Sequence, residues 1–305
     1  MPVRRLSGRP QGAILQFLGL ESIHIMSLPQ VVSRNGHFIS PADAHISIFN
    51  PVIFGAFGVY ESIQIYTGVI FLLEDHLQRL AASAAAIDLA LPGDQTTIAR
   101  WTREVVAANQ CRDGLIRIFA LGATADNGPE IFIWPEAPRA LPVELYEQGA
   151  GAVTYIGERA LPQAKSLNTL VNHMAKARAL RAGEHEGVLV DGHGNVTEGS
   201  SSNLFVVRNG MLLTPPEADV LAGVTQQEVL ELAGKLGVPL LREKLPLADR
   251  GRWNEAFLTS TSRHVLPLVR LDGQPIGAGV PGPITLHLRR AFEERFQSFV
   301  KVAID

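Results

Sequence analysis

Asn209-Gly210 stands between two β-forming runs, residues 203–207 and 211–214, the strongest short-range signal of an antiparallel hairpin. An Asn-Gly pair tolerates the left-handed conformations of a two-residue turn, and the flanking β-formers supply the strands. The same pattern recurs upstream. Asn35-Gly36 and Ser40-Pro41 break strand-like segments between residues 30 and 48, and Thr67-Gly68 turns the strand 59–66 into 69–73. Helical stripes alternate with these strands. Leu77, Leu80, Ala81, Ala84 and Ile87 recur at three- and four-residue spacing within 74–89, and 96–109 and 170–182 read as further helices. The helix 225–236 opens on Thr225-Gln226-Gln227-Glu228, read as a capping box, and stops at Gly237. Buried strands are expected at 115–121, 131–134, 151–156, 187–191, 195–197 and 255–259. The fold class is therefore α/β, in an α+β arrangement.

Pro135, Pro138 and Pro142 mark the best linker, which divides the chain into a smaller domain, 30–140, and a larger one, 141–305. Residues 1–29 read as an N-terminal extension. Arg4, Arg5 and Arg9 precede a mildly apolar stretch, but no small-residue cleavage site follows, so the signal-peptide pattern is weak. Met26 lies just before the first strand-like segment, which makes the preceding residues an expected tail or start-site artefact.

The chain of 305 residues carries 19% charged residues and a net charge of -3, with Lys and Arg scattered. That balance gives no electrostatic reason to expect nucleic acid or an anionic membrane as partner. No apolar run approaches the roughly 20 residues of a membrane span. The single cysteine, Cys111, rules out an internal disulfide framework and points to a cytoplasmic protein. No metal-ligand set is expected.

Three segments place polar residues where strands end. Lys165, in Gln163-Ala164-Lys165-Ser166-Leu167-Asn168, lies between a strand and a helix, whereas Lys176, Lys235, Lys244 and Lys301 read as solvent positions. On position alone, such a lysine is more often a snorkelling surface residue than a pocket amine. Glu198, followed by Gly199 and three serines, reads either as an exposed loop acid or as a carboxylate held near a cationic heterocycle by those hydroxyls. Gly223-Val224-Thr225 at a helix start and Thr259-Ser260-Thr261-Ser262 at a strand end are candidate anion cradles, to which Arg79 can add a planar fork. Together these meet one chemical requirement. A pyridoxal phosphate enzyme needs a lysine for the imine, a carboxylate for the ring nitrogen and donors for the phosphate.

In order and spacing, Ala164-Lys165-Ser166-Leu167-Asn168, Glu198-Gly199-Ser200-Ser201-Ser202-Asn203-Leu204-Phe205, Leu221-x-Gly223-Val224-Thr225 and Thr259-Ser260-Thr261 resemble the class IV (fold-type IV) pyridoxal-phosphate-dependent aminotransferases. The resemblance implies two α/β domains with pyridoxal 5'-phosphate between them, and a homodimer acting on an amino acid and a 2-oxo acid. It also implies roles: Lys165 as Schiff-base lysine and proton shuttle, Glu198 at the pyridine nitrogen, Leu221 on the ring, and Arg79, Val224, Thr225 and Thr261 at the phosphate. Tyr60, Arg117, Ser260 and Thr261 fall on the substrate side.

The substrate branches divide the same residues. Leu170, where branched-chain enzymes often carry tyrosine, looks like the D-amino acid branch, yet 122–129 lacks the arginine and histidine of that branch. Arg117 matches an arginine of branched-chain enzymes, which makes branched-chain L-amino acids the first expectation. Its rival reading is a buried ion pair with a protein acid. D-amino acid transamination, a lyase of the aminodeoxychorismate type and a non-catalytic cofactor-binding relative remain as alternatives. His264 could reach the substrate side, although a lone histidine is more often structural.

Overall fold

The computed structural model describes residues 28–124, 128–138 and 140–304; the signal-like stretch before Met26 lies outside the described residues. The strands divide between two sheets. The first holds β1 (Val32–Arg34), β2 (His37–Ile39), β3 (Gly58–Tyr66), β4 (Val69–Ile70), β5 (Gly114–Leu121) and β6 (Glu130–Glu136). They pair antiparallel in the order β2-β1-β6-β5-β3-β4. Asn35 and Gly36, with φ of 50° and 83°, make the first hairpin turn. Helices α1 (Val52–Gly55), α2 (Leu73–Ala85) and α3 (Gln95–Ala108) accompany this sheet. Strand periodicity assigns its two faces. Val59, Ile63 and Ile65 of β3 enter a core with Leu77 and Leu80 of α2 and Ile98 and Val105 of α3. Glu61 shares their parity and is buried with them. Tyr60 and Ser62 project from the opposite face.

The strand expected at 69–73 stops at Ile70, because Leu72 adopts φ 53° and α2 begins at Leu73. Phe71 and Leu72 then pack into the core of the second sheet.

That sheet comprises β7 (Ala150–Ile156), β8 (Glu186–Val190), β9 (Asn195–Gly199), β10 (Ser202–Arg208), β11 (Met211–Thr214), β12 (Leu240–Arg242), β13 (Leu245–Pro246), β14 (Glu255–Ser260), β15 (His264–Leu271) and β16 (Gln274–Pro275). Its order is β12-β11-β10-β14-β15-β7-β8-β9-β13, and β9 also pairs with β10. That extra pairing closes β10, β14, β15, β7, β8 and β9 into a barrel-like ring. Helices α4 (Val143–Gln148), α5 (Leu170–Arg181), α6 (Val224–Lys235) and α7 (Pro283–Ile304) complete the chain. β10 and β14 are buried on both faces. Leu204, Val206, Ala256 and Leu258 fill one core, while Phe205 and Phe257 turn outward and stack at 4.8 Å under α6 and α7.

The long α7 lies outside the elements read from sequence, although Leu288, Phe292, Phe296 and Val300, one face at four-residue spacing, are its buried stripe. The capping box also differs. Gly223 is the cap, and its N–H donates to Gln226 Oε1 at 3.4 Å, so Thr225 sits within the first turn and Glu228 plays no part. No helix among the described residues is long and apolar enough to cross a membrane.

Candidate active site

A cavity of about 690 Å³ is walled by both sheets and holds Tyr60, Arg79, Arg117, Lys165, Glu198, Leu221, Val224, Thr225, Ser260 and Thr261. These ten residues come from β3, α2, β5, the stretch before α5, β9, the approach to and start of α6, and the end of β14 with the turn after it. The sequence spreads them from residue 60 to residue 261, and the two sheets bring them to one wall.

Lys165 is fixed by backbone. Tyr60 N–H donates to Lys165 O at 2.9 Å, Leu167 N–H to Gly58 O at 2.9 Å, and Lys165 N–H to Ser83 Oγ at 3.0 Å. Residues 165–167 thus extend the first sheet at β3, although they follow β7 of the second in sequence. Only part of Lys165 is exposed, where the cavity opens over it. Its Nζ lies 4.6 Å from the Tyr60 ring centroid. Burial lowers its pKa, with Arg79 and Arg159 adding to the shift and Tyr60 and Glu61 opposing it. A buried amine with a lowered pKa is a competent nucleophile and base.

Glu198 is the penultimate residue of β9 and is 5% exposed, so it is not an exposed loop acid. Its carboxylate accepts from Arg159 Nη1 at 3.3 Å and from Leu221 N–H at 3.2 Å. Burial raises its pKa, and the Arg159 charge opposes that rise. Arg159 also donates to Pro162 O and Ala164 O, tying the Lys165 segment to the carboxylate. The sequence reading missed Arg159; its signal was a cation six positions before Lys165, in a stretch with a carboxylate to neutralise. The serines do not support Glu198. Ser200, Ser201 and Ser202 donate instead to Glu186, which opens β8 beside their turn.

Arg79 presents a fixed guanidinium. Its Nε and Nη2 clamp Glu61 at 2.8 and 2.7 Å, His76 Nδ1 meets Glu61 at 2.9 Å, and Nη1 donates to Ala222 O at 3.2 Å. Burial pushes the Glu61 carboxyl up, but the charges and hydrogen bonds of Arg79 and His76 hold it far below the ordinary range. Ala222 leads into α6, so Arg79 and the N-terminal turn at Val224 and Thr225 are adjacent. Cation and helix N-terminus together suit a phosphate. Gly223 is required there, since a Cβ would lie 2.0 Å from Asn203 Oδ1, and Asn203 Nδ2 donates to Leu221 O.

Arg117 lines the cavity and is also ion-paired: Nε donates to Glu136 Oε2 at 2.9 Å, and Nη1 donates to Ser62 Oγ. Tyr60 packs edge-on against Phe119 at 5.9 Å. Lys176 corrects a sequence reading. It is half-buried in the same cavity, donates to His185 O, and has its pKa lowered by burial, because α5 turns that face inward. His264 sits between Glu293 and Gln64, against Phe292 and Phe296, and takes a structural place under α7. Leu170 is 66% exposed and is not part of the cavity wall.

The donor set fits pyridoxal 5'-phosphate: a buried amine, a buried carboxylate and a cationic helix start share one cavity, and Thr259 Oγ1 is a buried hydroxyl there without a partner.

Residues 58–271 match the family described as Amino-transferase class IV. A Methanocaldococcus jannaschii protein, provisionally named a branched-chain-amino-acid aminotransferase, is 34% identical over 85% of this chain and 94% of its own length. The Staphylococcus aureus D-alanine aminotransferase is 33% identical over 87% of this chain and 97% of its own. Among solved structures, the Escherichia coli branched-chain amino acid aminotransferase superposes with a TM-score of 0.81 at 26% identity, covering 87% of this chain and 94% of that one. The T.th. enzyme of the same name, solved with pyridoxamine 5'-phosphate, gives 0.80 at 29% identity, covering 87% and 93%.

Proposed function

The chain belongs to the class IV aminotransferases, and on that premise we propose that it transfers an amino group between a branched-chain L-amino acid and a 2-oxo acid, with Lys165 as the catalytic residue. The observation that carries the site assignment is the convergence of the Lys165 amine and the Glu198 carboxylate on one cavity beside the Arg79 and α6 cradle. Pyridoxal 5'-phosphate supplies an aldehyde for the lysine and a ring that withdraws electrons from the substrate's α-carbon. Lys165 Nζ holds the cofactor and then takes and returns the α-proton, for which a lowered pKa suits it. Glu198 would accept the ring N–H, its carboxylate held by Arg159 and Leu221 N–H. Arg79, Val224, Thr225 and Thr261 would hold the phosphate, and Leu221 would lie on the ring side of the cavity. Tyr60, Arg117, Ser260 and Thr261 receive the substrate.

The branched-chain preference draws support from the apolar share of the wall, Leu115, Leu141 and Leu266; Arg117 lends it none, because Glu136 already balances its charge. The kinship with D-alanine aminotransferases supports a D-amino acid reading as the second choice. Half-reactions read by absorbance separate them: L-leucine converts the bound cofactor and D-alanine does not. The reverse result selects the D-amino acid reading, and no change with either removes both.

The segment 46–54 exposes Ile48, Phe49 and Phe54, at 74%, 86% and 87%. Apolar surface of that kind marks an association site, and a second copy of the chain is its proposed cover. Light scattering of the purified protein then gives twice the 33.0 kDa chain mass.

A further inference from the structure

Two turns at the same end of the second sheet face the cavity. One, Ser200-Ser201, joins β9 to β10; the other, residues 261–263, joins β14 to β15. Ladder pairing between β10 and β14 begins only at Asn203 and Thr259, so it does not reach either turn. Arg263 links them. Its Nε donates to Ser260 Oγ at 3.0 Å, Nη1 to Glu186 Oε2 at 2.7 Å, and Nη2 to Ser201 O and Oγ at 2.9 and 2.8 Å. Glu186 is fully buried and also accepts from Ser200 Oγ, Ser201 Oγ, Ser202 Oγ and Gly187 N–H.

Each hydroxyl has one proton to give. Ser200, Ser201 and Ser202 give theirs to Glu186, so toward the cavity they can only accept. Ser260 is the opposite case. Its oxygen accepts from Arg263 Nε, which leaves its own proton unassigned in the cavity wall. We propose that Arg263 is a positioning residue that turns Ser260 into a hydrogen-bond donor for an anionic oxygen in the cavity, while with Glu186 it fixes the serine turn as acceptors. This inference rests on the proposed active site, where two anionic groups are available: the cofactor phosphate and the substrate carboxylate.

Arg263→Lys keeps a cation for Glu186 but lacks the fork that reaches Ser260 and Ser201 together. Ser260→Ala removes the hydroxyl and no charge. A hydrogen bond to a charged group corresponds to about a tenfold change in binding. Apo-protein is titrated with pyridoxal 5'-phosphate, and the loaded protein with 4-methylvalerate, a carboxylate that cannot react. If the oxygen belongs to the phosphate, both variants raise the half-saturating cofactor concentration about tenfold. If it belongs to the carboxylate, both instead weaken 4-methylvalerate about tenfold with cofactor affinity unchanged. In either case the double variant is no weaker than Arg263→Lys alone. Parent-like binding of both ligands by Ser260→Ala overturns the proposal, as does simple addition of the two losses. Should Arg263→Lys not fold, Ser260→Ala still decides. Failure of the underlying site shows separately, as a Lys165→Ala protein that keeps the parent's cofactor spectrum.

Discussion

Two carboxylate–arginine pairs flank Lys165, and they are built to opposite ends. Glu61 meets Arg79 through a parallel fork, with His76 on one oxygen, at 2.7–2.9 Å. Glu198 meets Arg159 through one longer contact of 3.3 Å, plus a backbone N–H at 3.2 Å. Both acids are buried, yet the Glu61 carboxyl is held far below its ordinary range and that of Glu198 is raised. Burial acts alike on both, so the difference lies in the number and geometry of the partners. A saturated carboxylate is an anchor, and Glu61 serves to hold Arg79 still. An unsaturated one keeps acceptor capacity, and Glu198 can therefore receive a proton donor from a ligand.

Experiments on the residues between and within the two pairs can break or sharpen this contrast. The largest effect is expected at Lys165, which both pairs flank: Lys165→Ala lowers kcat by roughly 10⁴-fold or more and abolishes the lysine-linked cofactor absorbance. A variant that retains both activity and spectrum removes the reason for comparing the pairs. Glu61→Gln comes next. It leaves Arg79 without its buried counter-charge and destabilises the fold by about 3–5 kcal/mol in urea unfolding; a change below about 1 kcal/mol would show that Glu61 is no anchor. Glu198→Gln should divide the other way. Activity falls about 100-fold, while the urea midpoint moves far less than for Glu61→Gln, and an equal loss of stability would erase the distinction.

The smallest effect is in pH dependence. Glu61 has a depressed folded-state pKa, so its stabilisation is full above the ordinary value of 4.5 and is lost as pH falls below it. Glu198, with a raised pKa, acts in reverse, and its contribution falls as pH rises from 4.5 into the window of its folded-state titration. Acid titrations of urea stability should therefore lose their fall below pH 4.5 in Glu61→Gln and lose the decline above it in Glu198→Gln; the same slope change in both variants would contradict the contrast.

Much of the architecture was legible because local rules and tertiary packing agree. The Asn35-Gly36 and Asn209-Gly210 hairpins form where their turn chemistry places them. The stripe of Leu77, Leu80 and Ala84 becomes the buried face of α2. Disagreement arose at one helix start and where distant groups intervene. Thr225 and Glu228 match a capping box by spacing, but the cap lies two residues earlier, before a helix that starts at Val224, so Gly223 and Gln226 take the roles. Lys176 looked like a solvent residue on its helix, and the neighbouring sheet encloses it. The three serines after Glu198 suggested support for that acid, yet Glu186, at the edge of another strand, takes their protons.

By itself, the sequence determined most of the element types, the hairpin turns and the identity of the groups able to do amine chemistry, because propensity, turn geometry and functional-group reactivity are local properties. Only the tertiary structure decided which charges face one another. Whether Arg117 meets Glu136, Arg159 meets Glu198 or Arg263 meets Glu186 depends on strands brought together from distant parts of the chain. The energy of a buried charge depends on that neighbourhood rather than on the residue that carries it.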